Sequence, residues 1–470
     1  MDYIRTEADG QLALTQTTTE WLHFPSGLHG FHNTNTTRER AESGRNVFCF
    51  HGLLDIPEEE RTCRCGARMH INGHPTITLR HLCIGGNLSC LMLPHNQLKC
   101  PACGATKMQS IPFKALGYRI TEELYQYTRD LLAFGTYTNK QVAEITGLGK
   151  NTVKAIDKER LLERYTIGGV MLIKPEKTTK YLGIDEFKLH DGKVFATHII
   201  DMETGHILWI GKGKKKQVVY DFIDHVGLEW MASVVAVACD MNSDFYEAFQ
   251  ERCPHIKIVF DHFHIVKNFN DKVISEIRKD EQKRLADEGD KEAAKSLKKS
   301  RYILMSKRST LQRKDKEAER NKVIHKGSAL FGTEDIVRQG GHEERYNALL
   351  QENTLLFTVD LIKEMLSDAY KSSDALVMAE KILDIMDLCE ASSNKHLLWF
   401  RRLLDTHFEG IIAHATYQIS NGKIEGVNQR IKTLRRHGYG YPDDEYFFLK
   451  LIDASRMEYV RNPKSHRICD

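Results

Sequence analysis

Tyr181-Leu182-Gly183-Ile184-Asp185-Glu186-Phe187 opens the part of the chain whose order of elements decides the fold. The run is β-rich, and two more follow over 193–200 and 206–210. His190-Asp191-Gly192 and Glu203-Thr204-Gly205 separate them, turn chemistry of the kind that joins antiparallel strands. A helix is expected over 215–226. The apolar strand Ser233-Val234-Val235-Ala236-Val237-Ala238-Cys239 then ends at Asp240. A second helix over 244–252 leads to Ile256-Lys257-Ile258-Val259-Phe260, which ends at Asp261.

The order β-β-β-α-β-α-β is that of a ribonuclease-H-like core, a mixed sheet flanked by helices. Asp185 lies within its first strand, and Asp240 ends a strand that is almost wholly apolar. A carboxylate at the carboxyl end of a buried strand is a common ligand position in α/β sheets. Strand alternation puts Asp185 and Glu186 on opposite faces, so only one is expected to face a shared site. The competing structural readings are a strand-edge charge for Asp185 and a helix N-cap for Asp240. Asp261 is a further candidate ligand, with the N-cap of the helix near Phe263 the favoured reading; His262 and His264 add a weak His-x-His signal.

Outward from this core the chain divides into segments. Residues 263–415 read as an all-helical insertion, with mixed-charge stretches such as 278–299, and 416–470 as the return to the core. Upstream, 178–262 is preceded by a helical segment, 118–165. Within it Leu124, Tyr127, Leu131 and Phe134 fall at spacings of three and four. Residues 138–160 fit a helix-turn-helix: Ala143 for close packing, Gly147 at the turn, Val153 and Ile156 as anchors. Lys150, Asn151, Thr152 and Lys154 would then stand at the N-terminal end of the recognition helix, where base edges are reached. A plain two-helix corner is the bland alternative.

Six of the 11 cysteines fall between Cys63 and Cys103. Cys100-Pro101-Ala102-Cys103-Gly104 is a CxxC knuckle, suited to gripping one zinc ion. Cys63-Arg64-Cys65-Gly66 is one residue short of a matching knuckle, so Cys83, Cys90, Cys49 or a histidine are alternatives to Cys63. Residues 46–112 are therefore expected to form a zinc-ribbon-like module, and 1–45 a loosely structured extension.

Composition bounds the reading without deciding it. The 470 residues are 41% hydrophobic, enough for several cores, and 67 basic residues against 64 acidic leave a net charge of +3. That balance demands no nucleic-acid partner, so any such argument rests on local clusters. Neither a secretory leader nor a membrane-length apolar run is visible, which makes a cytoplasmic, nucleoid-associated protein the expectation.

One further block is the most specific in the chain. Ser420-Asn421-Gly422-Lys423-Ile424-Glu425-Gly426-Val427-Asn428-Gln429-Arg430-Ile431-Lys432, followed by Arg435-Arg436-His437-Gly438-Tyr439-Gly440-Tyr441, resembles the last catalytic block of the ISL3 family of bacterial insertion-sequence transposases. Gly183–Phe187, Asp261-His262-Phe263-His264-Ile265-Val266-Lys267 and Arg301-Tyr302-Ile303-Leu304-Met305 resemble other blocks of that family, and the likeness spans about 60–455. Arg80-His81-Leu82-Cys83-Ile84-Gly85-Gly86 is similar to the middle strand of its zinc ribbon.

The resemblance implies a DDE transposase in which Asp185, Asp240 and Glu425 hold two magnesium (or manganese) ions, beside one structural zinc on Cys63, Cys65, Cys100 and Cys103. It implies binding to terminal inverted repeats and target DNA, strand cleavage followed by strand transfer, and a homodimer or larger assembly, since two ends are handled together. Glu425 would open a helix whose Ile431 and Leu434 pack on the sheet. Arg430, Lys432, Arg435 and Arg436 would contact DNA, against the bland reading of a solvated helix face. The competing functions are a DNA-binding protein that has lost catalysis and a structure-specific ribonuclease-H-like nuclease.

Overall fold

The structure, a computed structural model, describes residues 28–41, 44–321, 323–328, 332–351, 353–419, 422–438 and 441–457, with backbone alone for 324–328 and 332–336. It also describes the backbone of a short antiparallel pair, β1 (Arg5–Thr6) and β2 (Leu12–Ala13). Ser420, Asn421, Tyr439, Gly440 and the tail from 458 lie outside the described residues. Two units result: Met1–Ile173 together with Lys432–Asp470, and Lys174–Ile431.

In the first unit, β3 (Phe31–Arg40) pairs antiparallel with β4 (Asn46–Leu54). A ten-residue strand therefore stands where a loose extension was expected. Its sequence hid it: only Phe31 and Thr36 are buried, as suits an edge strand with one partner and a mostly wet surface. Two sheets follow. β6 (Thr76–Ile84) and β7 (Asn87–Pro94) complete the order β3-β4-β7-β6, while β5 (His70–Gly73), β8 (Gln97–Lys99) and β9 (Thr106–Met108) form a separate three-stranded sheet. Arg80–Ile84 thus belongs to the larger sheet, apart from the strands around the cysteines.

Three helices come next: α1 (Glu122–Ala133), α2 (Asn139–Thr146) and α3 (Lys150–Tyr165). Thr138 and Gln141 cap α2 reciprocally, and Gly147 ends it at φ 73°, a left-handed conformation that glycine adopts without a Cβ penalty. Val142, Val153 and Ile156 are fully buried against Leu124 and Leu132. Tyr127 and Phe134, expected on the inner face of α1, are 41% and 66% exposed; Thr128 and Leu132 take their place. Spacings of three and four define two adjacent faces, and packing chose between them. A hairpin of β10 (Thr166–Ile167) and β11 (Met171–Leu172) closes this stretch.

The C-terminal helix, Asp444–Ser455, belongs to this unit and packs on α3. Two buried carboxylates join them. Asp157, with no exposed surface, accepts hydrogen bonds from Arg160, Lys450 and the Tyr446 hydroxyl; Asp453 accepts from Arg160 and the Tyr165 hydroxyl. Each charge has an opposite charge and a hydroxyl donor, so burial leaves neither carboxylate unsatisfied.

The second unit is built on a five-stranded mixed sheet of order β14-β13-β12-β15-β16. β12 (Tyr181–His190), β13 (Val194–Asp201) and β14 (Ile207–Lys212) are antiparallel, and β15 (Ala236–Cys239) and β16 (Lys257–Phe260) run parallel to β12. α4 (Lys216–Val226), α5 (Ser243–Arg252) and α6 (His262–Asn268) connect and follow the strands in the expected order. A π-helical turn, Phe269–Ile274, leads from α6 into a series of helices ending with α7 (Phe408–Tyr417).

That series is interrupted by an antiparallel hairpin, β17 (Val323–Ser328) and β18 (Gly332–Val337), where helix alone was expected. One apolar core runs from Leu182 and Val237 through Phe269 and Phe400 to Ile411, so sheet and helices share an interior. α7 lies against β16 at Gly410, where a Cβ would stand 2.3 Å from the Phe260 ring.

Candidate catalytic and metal sites

Strand register brings two of the predicted carboxylates together. β12 and β15 pair Gly183 with Ala238, and two residues beyond on each strand come Asp185 and Asp240. β15 and β16 pair Cys239 with Phe260, so Asp240 and Asp261 are the next neighbours. Three aspartates thus stand in a row across three parallel strands, Asp185 midway along β12 and Asp240 and Asp261 just past the ends of β15 and β16.

The bland readings of the first two do not hold. β12 is the central strand, so Asp185 is no edge charge. Asn242 caps α5 by accepting from the Asp244 amide, while Asp240 only accepts from the Asn242 amide at 3.1 Å. Asp261, by contrast, caps α6 through the Phe263 amide at 2.9 Å.

Among the described residues, neither carboxylate of the pair forms an ion pair with a lysine or arginine. Asp185 accepts from the Glu186 amide at 2.8 Å and from the Asn428 side-chain amide at 2.6 Å. Opposite it on β13 is His198, wholly buried, whose ring is held neutral by desolvation with its pKa down to about 4. Burial first, and then the charge of Asp185, raise the Asp240 pKa above the usual carboxylate value. Two neighbouring, poorly compensated carboxylates on adjacent strands are the kind of oxygen donor set that a hard divalent cation relieves.

Glu186 also reaches this region. It lines a cleft of about 400 Å³ with Lys214, Lys215, Asp240, Asn242 and His264, and its charge adds to the rise of Asp240. Asp185 is not among the residues that line this cleft, as strand alternation leads one to expect of neighbours on β12. Asp240 lies just past the end of β15. Lys214 lies 3.4 Å from Glu186, and His264 Nδ1 lies 3.7 Å from Asp261.

Glu425 is in the first turn of α8 (Gly422–His437), and its side chain is exposed. Ile424, Val427 and Ile431 are the buried face of that helix, with Ile424 against Gly183. Asn428, one turn after Glu425, makes the contact to Asp185. Among the described residues, only four cysteines bring three or more ligand atoms within 4.8 Å of one another, so the three carboxylates are not packed that closely. Leu434 does not join the sheet-packing face and instead lines a cleft in the first unit. Asn428 was missed as a site residue, though it stood in the quoted motif three residues after Glu425, the spacing that shares a helix face.

Those four cysteines are Cys63, Cys65, Cys100 and Cys103. Sγ separations of 3.5 Å join Cys63 to Cys103 and Cys65 to Cys100. Tetrahedral zinc with bonds of about 2.3 Å needs sulfur–sulfur edges of about 3.8 Å, so the set fits. The shortened first knuckle still delivers both thiols. Cys49 and Cys90 instead face each other across β4 and β7, and Cys83 lies against the Ile145 carbonyl.

Of the residues expected at DNA, Lys150, Asn151, Lys432 and Arg436 are exposed, and Thr152, Arg430 and Arg435 are half-buried. Lys154 is paired with Asp443 at 3.1 Å. No helix among the described residues is long and apolar enough to cross a membrane.

Comparison with known proteins gives a consistent picture. A family model described as a transposase, of the ISL3 group, matches residues 182–451, more than half of the chain. The transposase for insertion sequence element IS1001 of Bordetella parapertussis is 28% identical over 393 residues, 83% of this chain and 87% of that protein. The transposase for insertion sequence element IS1557 of Mycobacterium tuberculosis (strain ATCC 25618 / H37Rv) is 26% identical over 131 residues, 27% of each chain.

Proposed function

The chain belongs to the ISL3 transposase family, and from that premise we propose that it is a DDE enzyme in which Asp185, Asp240 and Glu425 form the catalytic triad on a ribonuclease-H-like core. The observation that carries this reading is the lateral alignment of Asp185, midway along β12, with Asp240 at the end of β15, beside the helix that bears Glu425. The β14-β13-β12-β15-β16 order, antiparallel then parallel, supports the ribonuclease-H-like assignment.

Asp185, Asp240 and Glu425 would hold two magnesium or manganese ions, which when bound supply an activated water and neutralise the leaving oxygen. The protein's own part is positioning. Asn428 and the Glu186 amide fix the Asp185 carboxylate, and burial keeps Asp240 from dispersing its charge into water. The reaction is hydrolysis of a phosphodiester at the element's end, followed by attack of the freed 3′ hydroxyl on a target phosphodiester.

Recognition of the terminal inverted repeats is assigned to the first unit. Cys63, Cys65, Cys100 and Cys103 hold one structural zinc, and α2, Gly147 and α3 form a helix-turn-helix that presents Lys150, Asn151 and Thr152. Two copies are expected to act together because a transposition event joins two ends.

The test is strand scission on duplex DNA bearing the element's ends, with magnesium. Asp185→Asn, Asp240→Asn and Glu425→Gln should each abolish it while the protein still folds and binds the duplex. Undiminished scission by the Glu425 variant overturns the triad. Scission without strand transfer in the native protein would favour a nuclease.

A further inference from the structure

Within the first unit, a cleft of about 740 Å³ opens between the start of α3 and the residues that follow α8. Lys150, Asn151 and Lys154 of α3 line one side; Arg436 and His437 at the end of α8, with Asp443, line the other. Lys150 and Arg436 have no acidic partner among the described residues, and both are exposed.

Lys154 and Lys158, one turn apart on α3, converge on a single anion. Each ammonium lies 3.1 Å from Asp443 Oδ2, and Lys158 also lies 3.5 Å from Glu445. Asp443 additionally caps the C-terminal helix by accepting from the Tyr446 amide. The Lys154, Lys158 and Asp443 side chains are half-buried but still reach solvent, where an ion pair can be exchanged for another anion.

We propose that this cleft is a composite DNA-backbone site, in which Arg436 and Lys150 grip phosphates of the duplex engaged by α3 while Asp443 stands in for a phosphate on Lys154 and Lys158. The inference rests on the helix-turn-helix reading above and deepens it. The end of α8 is assigned to DNA held by the first unit rather than to DNA at the cut, and the acidic start of the C-terminal helix becomes an internal competitor for the same lysines. Bridging of two ammoniums by one oxyanion is what a phosphate supplies equally well. Each lysine released to the backbone displaces a condensed counterion, so the exchange is visible in the salt dependence of binding.

The experiment measures binding of the full chain to a fluorescent duplex of random sequence, about three helical turns long, across a salt series. Asp443→Asn keeps the cap, because asparagine caps as well as aspartate, and removes the charge. It should tighten binding about 3- to 10-fold at low salt and steepen the slope of log affinity against log salt by about one to two. Arg436→Gln, at an exposed position where folding is not at stake, should weaken binding and flatten the slope by about one.

Unchanged affinity and slope in both variants, with Lys150→Gln still weakening binding, would reject the composite cleft and leave α3 as the DNA contact. Absence of duplex binding by the native protein at every salt concentration would overturn the cleft and the helix-turn-helix reading together.

Discussion

Gly183→Ala puts the seating of α8 on the sheet under direct strain. A Cβ built on Gly183 would stand 2.8 and 2.9 Å from Ile424 Cδ1 and Cγ1, and 2.5 Å from the Met202 sulfur. Carbon atoms pack best at about 3.5–4.0 Å, so Ile424 must withdraw by about 1 Å. The Met202 thioether can swing aside, but Ile424 is β-branched and stiff at χ1, so the helix must move with it. α8 carries Glu425 and also Asn428, whose amide holds Asp185. A displacement of about 1 Å at a catalytic constellation costs about 100-fold in rate, while overpacking costs about 1–3 kcal/mol of stability.

The assay is single-turnover, magnesium-dependent nicking, read beside thermal melting of the same preparation. Gly426→Ala on the same helix is the control for stability. Its Cβ meets nothing within 4 Å, and alanine should stabilise the exposed helix by about 0.5–1 kcal/mol. A Gly183→Ala protein that melts lower yet nicks at the native rate would refute the claim that contact between α8 and β12 sets the catalytic geometry.

Asp240→Asn is expected to raise the melting temperature of metal-free protein at neutral pH. The Asp240 pKa is raised in the folded state, so its favourable contribution exists below the unfolded value of about 3.9 and is lost as pH rises through the folded value. Above that range the ionised side chain destabilises, and asparagine removes the cost. The gap should close in acid, and magnesium should raise the melting temperature of the native protein but not of the variant; a variant that melts lower at neutral pH in chelator contradicts this. For the cysteine cluster, metal analysis should find one zinc per chain, lost in Cys100→Ser along with the order of the β5-β8-β9 sheet. Native zinc content in that variant would dismiss the site.

By itself the sequence determined which segments could become strands and helices of the second unit. Alternation, apolar runs and Gly-containing turns act over a few residues, and they placed β12 to β16 in the right order with ends off by a few positions. It marked Cys100 and Cys103 as a knuckle and Gly147 as the turn between two amphipathic helices, but left Cys63 among several alternatives that only folding separated.

What only tertiary structure decided is which side chains share an environment. Asp185 and Asp240 become neighbours through the register of two strands 55 residues apart in the chain, a property of the pairing and of neither strand alone. The same holds for Asn242 relieving Asp240 of the cap, for Glu186 sharing a cleft with Asp240, and for Asn428 meeting Asp185. β3 escaped notice because an edge strand is selected by its one partner more than by its own apolar pattern. The C-terminal helix packs on α3 because Asp157 and Asp453 need Lys450 and Arg160 to be buried at all, a requirement that is met across almost 300 residues and leaves no local trace.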